Sequence, residues 1–413
     1  MKPGSMPARL SDLTRSVLSA TAANRDEFVI APACLYRTLA ALSYCSLGET
    51  HDEIAALVGD ADEIAATVRT LAADGASDSC ARPAAAPGAG DAPAPDDGGA
   101  PAVDDGQVPE PEGASCASDP AAAAAPGEGG FSLACSLWAD SSVSLRPGFE
   151  RGVEVLGDRV YNYDLHSERA EREIGRWLLE STGGDYDQAS EISPACFLLA
   201  LGAQHVSDAW REPFTDARVK KFHAPDGNYK VEYMVCWQEC HVIERAGSVT
   251  LSKRLESGAR VVFSMPDESM GVQDYVAGGM AWKNVCDCFE RPKKAGVRQL
   301  VRLAVPRVTL GTEELRLVDT LKQLGVQHAF NPLIADFSPM SSSPLSVGAL
   351  ALCSTLDLNP RGVDGVGRDD AGQGGGKRPN ARKVMLNRPF VFALITAGGC
   401  PLFAGTFSHP TEA

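Results

Sequence analysis

The sequence predicts a mixed α+β protein assembled on a large sheet, and three observations carry that reading. Apolar residues repeat with helical spacing through the first 71 residues. From Phe131 onward they gather instead into short runs bounded by turn residues, with two strand-like runs near the C-terminus. Between these regions lies a tract that cannot join a core, and setting it aside leaves about 355 of the 413 residues, a length suited to one domain on a large sheet.

In chain order, Leu10, Leu13, Val17 and Leu18 mark a first helix, residues 28–30 a short extended piece, and Leu35, Leu39 and Leu42 a second helix. Thr50 with Glu53 three residues later is a capping-box signal, predicting a third helix that turns Ile54, Leu57 and Val58 inward. The register fades after Leu71. Residues 72–129 hold Ala, Pro, Gly, Asp and Glu with no aromatic side chain, a composition that cannot offset the entropy of ordering. They read as a disordered acidic insertion. Strand candidates follow at 132–138, 196–203, 230–236, 259–264 and 299–308, interrupted by one clear helix at 171–181. A helix at 312–324 is expected to stop at Gly325. Strands at 390–395 and 402–407 close the chain across the turn 397–399.

Charge and cysteine usage bound the function. With 38 basic against 54 acidic residues the net charge is −16, which opposes nucleic acid and anionic membranes. Eleven of the acidic residues lie in 74–128 beside one basic residue, Arg82, so the remainder is only mildly acidic. No apolar run reaches the ~20 residues of a membrane span. Residues 1–12 lack the apolar core of a secretory signal. A cytoplasmic protein is expected, with non-conventional secretion left open. The twelve cysteines are sparse and irregular, and Cys34, Cys45, Cys135 and Cys196 sit in apolar runs, which predicts buried thiols. The spacings around Cys236, Cys240, His241, Cys286 and Cys288 fit zinc poorly. The seven histidines come with no nucleophile elbow or zinc-protease motif. No metal, no cofactor and no enzymatic activity is expected.

The order of segments resembles the serpin family. Residues 28–54, with Pro32, Gly48 and Thr50, are similar to its early strand, helix and glycine turn, and Ile174 to Leu178 followed by Thr182 and Gly183 resembles the end of its sixth helix. Residues 198–210 with Phe214 resemble the central strand that ends at a tryptophan, here Trp210, where the family's loop first enters. Pro306-Arg307, Leu321 to Gly325 with Ala329 and Phe330, and Ala335 to Ser338 follow in order. Asn387 to Phe390, Leu402 to Gly405 and Pro410 resemble the family's C-terminal signature.

The resemblance implies a single serpin domain over 1–413, with three β-sheets, about nine helices and an exposed reactive-centre loop at 360–383. In that family a protease cleaves the loop and is trapped as an acyl-enzyme while the loop enters the main sheet as an extra strand. Aligned this way, Gly362 is the hinge glycine and Pro360 replaces the family's acidic residue. Strand periodicity then turns Val363, Gly365, Gly367, Asp369 and Ala371 toward the core. Asp369 does not suit that face, because an unpaired carboxylate is costly to bury. Proline cannot donate a ladder hydrogen bond, and glycines raise the entropy lost on strand formation. Beneath the sheet, Ala31, Cys34, Gly202 and Leu352 stand where the family holds a polar gating cluster, a joint replacement that can keep the fold intact while changing the gate.

The implied function is a serpin-type serine protease inhibitor impaired by a degenerate hinge, the alternative being a non-inhibitory serpin acting as a binding or interaction protein. Lys377 and Arg378 are the scissile candidates. If the loop is active, they imply a trypsin-like serine protease as partner. A monomer that binds no heparin is expected, since the region of the family's basic helix is the acidic tract. The missing signal and eroded motifs suit an intracellular or viral serpin.

Overall fold

A computed structural model describes residues 5–77, 130–149, 153, 156, 158–187, 192–245, 247–311, 315–364 and 381–412. The chain opens with α1 (Ala8–Ala22), whose Leu10, Leu13, Val17 and Leu18 face inward as their spacing predicts. After β1 (Phe28–Ile30) comes α2 (Pro32–Tyr44), started by a proline at a position that needs no N–H. Nearly every residue of α2 is buried, so this helix forms the centre of the molecule rather than its surface.

The single third helix of the sequence reading is two. Helix α3 (Gly48–Val58) ends at Gly59, whose φ of 91° is a left-handed stop, and Asp60 restarts the chain as α4 (Ala61–Ala73). Asp60 and Glu63 form the capping box that was assigned to Thr50 and Glu53. Those two instead tie α3 to a distant segment. Thr50 Oγ1 accepts from the Asp336 amide at 2.9 Å, and the Glu53 carboxylate accepts from the amides of Gln327 and His328 and meets His328 Nδ1 at 2.6 Å. Burial works against ionisation of Glu53, but these His328 and Gln327 contacts outweigh it and hold the carboxyl below its usual value.

Order also runs past the predicted start of the insertion at 72. Helix α4 continues to Ala73, and β2 (Ala76–Ser77) pairs parallel with Phe131 and Ser132 of β3 (Gly130–Asp140). Residues 78–129 lie outside the described residues.

The main sheet has the order β11–β13–β14–β5–β3–β2, with β4 (Arg159–Tyr163) on β3 and β12 (Leu315–Arg316) on β13. Its central members are β5 (Leu198–Ala209) and β13 (Ala349–Leu358), with β11 (Val308–Gly311) outside and β14 (Gly362–Val363) wedged between them. Helix α5 (Glu168–Ser181) crosses its outer face, packing Ile174, Trp177 and Leu178 over Trp138, Leu199, Leu201 and Ala203.

The remaining strands run β1–β17–β16–β9–β8–β7–β10–β15, with β6 (Asp216–Ala224) on β7. They comprise β7 (Gly227–Glu244), β8 (Ser248–Arg254), β9 (Arg260–Pro266), β10 (Val297–Pro306), β15 (Arg382–Met385), β16 (Phe390–Ile395) and β17 (Pro401–Phe407). Only Ile243 and Glu244, at the end of β7, pair with β8. The array therefore amounts to two sheets joined by one long strand, which with the main sheet gives the predicted three.

Strands do not dominate after Phe131 as fully as expected, because α6 (Val272–Ala277), α7 (Met280–Glu290) and α8 (Pro292–Ala295) intervene. Ala281, Trp282, Val285, Cys288 and Phe289 of α7 form the buried stripe that holds it on the sheet. The helix expected over 312–324 is only α9 (Val318–Gln323), since Leu315 and Arg316 extend to pair with Leu352 and Ala351. Its stop at Gly325, φ 100°, is as predicted. The described cysteines carry free thiols. Eight are buried, and desolvation pushes Cys45, Cys288 and Cys400 up to about 12. Among the described residues no three His, Cys, Asp or Glu side chains are grouped to hold a metal ion.

Candidate functional site

The site is the upper end of the main sheet, where β5 and β13 part. Through their lower part these strands pair directly and in parallel, Ala349–Ser354 against Leu199–Gln204. Above that point β14 lies antiparallel between them, with Val363 opposite Leu358 on one side and Asp208 on the other. Gly362 and Val363, the third and fourth residues of the predicted loop, are thus already strand. Val363 is fully buried in the main core, as its place in the alternation requires.

Glycine at 362 is what permits this approach. A Cβ there would lie 2.1 Å from the Asp208 carbonyl oxygen and 2.8 Å from Ala209 Cα, backbone atoms that cannot give way. Gly362→Ala is accordingly expected to push β14 out of the sheet, seen as lost hydrogen-exchange protection over residues 362–364 with the rest of the pattern unchanged.

One residue the sequence reading overlooked organises the turn. Asn359 Oδ1 accepts from the amides of Arg361 (2.9 Å) and Gly362 (3.1 Å), its Nδ2 donates to Asp357, and its own amide donates to Gly362 O. The Asn-Pro pair signals such a turn in sequence. It also corrects the expectation for Pro360, which sits at the hairpin tip, where no ladder N–H is required and a fixed φ is an advantage.

Trp210 stands where the family resemblance places the point of loop entry and holds the turn from beside β5. Its Nε1 donates to Asn359 O at 2.8 Å and its amide to Arg361 O at 2.9 Å, while the Phe214 amide reaches Pro360 O. Under these rings lies Lys253, 1% exposed, its Nζ 4.5 Å from the Phe214 ring centre and 5.5 Å from that of Trp210. The ammonium donates to Glu212 O and, at 3.3 Å, to Cys236 Sγ. Burial raises the Cys236 thiol although Lys253 opposes it. Lys253 lies in a strand the sequence reading did not list. Asp208, next to Val363, is buried and accepts from Ser257, and desolvation raises its carboxyl despite that bond.

Beneath the closed part of the sheet, Cys34, Gly202 and Leu352 meet as expected, and Ala31 is buried one turn earlier as the residue before α2. A Cβ on Gly202 would lie 2.6 Å from both Cys34 Sγ and Leu352 Cδ2. This cluster is not wholly apolar. Thr38 Oγ1 donates to Cys34 O and lies 3.2 Å from Cys135 Sγ, and the Cys34 thiol donates to Ala203 O at 3.6 Å. These two residues were missed because each reads as ordinary core filling.

The loop reading needs new bounds. Residues 360–363 are turn and strand, and Arg382 and Lys383 belong to β15, parallel to β10 at Val301 and Arg302, so an exposed loop over 360–383 is too long at both ends. Gly365, Gly367, Asp369, Ala371, Lys377 and Arg378 lie outside the described residues.

The comparisons agree with this geometry. The sequence pattern of the family described as Serpin (serine protease inhibitor) matches residues 115–410. Putative serpin-Z6C of Oryza sativa subsp. japonica is 22% identical over 327 residues, covering 70% of this chain and 77% of that protein. Serine proteinase inhibitor 1 of Monkeypox virus is 23% identical over 295 residues, covering 68% and 79%. Among solved structures, a thyroxine-binding globulin complex with thyroxine superposes with a TM-score of 0.74 at 16% identity, covering 98% of this chain and 99% of that one, a likeness of fold. A glycine seated between the two central strands of a three-sheet α+β protein, together with a family match over most of the sequence, places this chain in the serpin family.

Proposed function

We propose that this protein is a serpin-type inhibitor of a trypsin-like serine protease, offering Lys377 or Arg378 as bait, in which loop insertion starts readily and finishes slowly. The observation that carries this reading is β14: Gly362 and Val363 already occupy the place between β5 and β13 that an inserting loop must fill. A strand begun in register lowers the cost of nucleating the rest. Two features oppose completion. The six residue pairs joining β5 to β13 must separate over a gate packed tightly at Gly202, and Asp369 follows Val363 in the core-facing alternation.

Incubation with trypsin should yield mostly loop-cleaved protein and a minor detergent-resistant covalent complex. The cleaved form should melt at a higher temperature than the intact one. An unchanged melting temperature with no complex would overturn the proposal in favour of the second reading, a non-inhibitory binding protein, which Asp369 and the altered gate support.

A further inference from the structure

On the outer face of the sheet, opposite Val363, the chain leaves β14 at Asp364. This is the one described non-glycine residue with a left-handed backbone, φ 54°, a conformation that aspartate tolerates better than most. Its amide still donates to Asp357 O at 2.9 Å, as a continuing strand would require. Its carboxylate lies 3.4 Å from His205 Nε2 on β5, and both groups are partly exposed. His205 is held from above, because a Cβ on Gly183, in the turn after α5, would lie 2.8 Å from the imidazole.

Carboxylates outnumber the basic group at this point. Asp357 of β13 and Asp185 in the turn after α5 both act on the Asp364 carboxylate, so three carboxylates gather where His205 contacts one of them. From β3 the neighbour across from His205 is Ser132, which carries no charge. Burial leads in raising the Asp364 carboxyl; His205 lowers it, and Asp185 and Asp357 raise it. The register Leu358 to Val363 puts Asp364 beside Asp357 across the strands, and like charges so placed repel. Asp357 is itself fixed by Thr309 Oγ1 and Asn359 Nδ2, both at 2.8 Å, and does not swing away.

We propose that His205 is a positioning residue for the loop hinge: its protonated ring balances Asp364 and Asp357 and keeps Gly362 and Val363 seated in the sheet, and its neutral ring lets them leave. Seating is therefore favoured in acid and weakens as pH rises through the range in which histidine loses its proton. The proposal rests on the reading of this segment as a serpin hinge. It concerns the uncleaved protein, so it can be tested whether or not the chain inhibits any protease.

Hydrogen exchange over residues 362–364, corrected for the intrinsic dependence on pH, reads the seating directly. Protection in the full chain should rise up to about fivefold between pH 8 and pH 5.5, the scale of a partly exposed ion pair. His205→Gln should show low protection at both values, and His205→Lys, whose charge persists, high protection at both. Protection over β16 and β17 reports that each variant is folded. Because Asp364 also takes up protons more readily in acid, the Gln variant decides the source: retention of the full pH dependence in His205→Gln would overturn the proposal. So would a flat profile in the parent protein, or a Lys variant no better protected than Gln at pH 8.

Discussion

On the proposed reading, Asp369→Ala is expected to speed loop insertion, so that more protease is trapped as covalent complex. Val363 is buried and its side chain points into the main core, so residues 365, 367, 369 and 371 follow it inward if the strand continues. At pH 7, protonating a carboxyl of ordinary pKa in order to bury it costs about 4 kcal/mol. If that cost is felt in full before the protease is trapped, it slows insertion up to about a thousandfold. The competing step, release of the protease by hydrolysis of the acyl-enzyme, gains in proportion.

The sign of the pH dependence follows. Burial on insertion would disfavour the charged form of Asp369, so acid favours insertion and the benefit is lost as pH rises. Between pH 7 and pH 5 the parent protein should insert up to about tenfold faster per unit of pH, and the alanine variant should be flat. Single-turnover reaction with trypsin, scored as covalent complex against cleaved product, measures both. Equal partition in parent and variant would show that strand separation at the gate, and not the carboxylate, sets the rate.

What the sequence disclosed and what it concealed divide along physical lines. Features fixed by local spacing were legible: the stripe of α1, the Gly325 stop, the C-terminal strands and the alternation that buries Val363. The resemblance put Cys34, Gly202 and Leu352 together beneath the sheet and Trp210 apart from them at the end of the central strand, because their positions are set by chain order within a known topology. The errors arose where a distant partner competes for a local signal. Thr50 and Glu53 have the spacing of a capping box, yet their oxygens are taken by amides 274 or more residues away. Leu315 reads as helix until Leu352 draws it into a strand. Lys253 acts through a backbone oxygen and ring faces, which leave no pattern in sequence, whereas the Asn359 turn was signalled by its Asn-Pro pair and overlooked. His205 meets Asp364, a residue 159 positions away that the strand pairing alone brings to it.

The second large effect lies in the core itself. Replacing Asp158 by alanine should lower the unfolding free energy by about 3–5 kcal/mol. Its carboxylate lies 2.6 Å from Arg37 Nε, with side-chain exposures of 0% and 6%, and Arg37 also donates to Leu133 O at 3.1 Å. The ion pair thus joins α2 to β3 and to the approach to β4. An arginine does not shed its proton, so removal of Asp158 leaves a buried charge without the carboxylate that balanced it. The damage comes from that stranded charge rather than from loss of a strong attraction, and this gives the test its second arm. Asp158→Leu combined with Arg37→Met removes both charges and should restore most of the lost stability in urea unfolding. A double variant as unstable as the single one would show that the pair itself holds the fold. Arg37 lies between Cys34 and Thr38 on α2, under the gate, so a loosened α2 also removes resistance to parting β5 from β13. The single variant should therefore insert its cleaved loop faster than the parent even as it unfolds more easily.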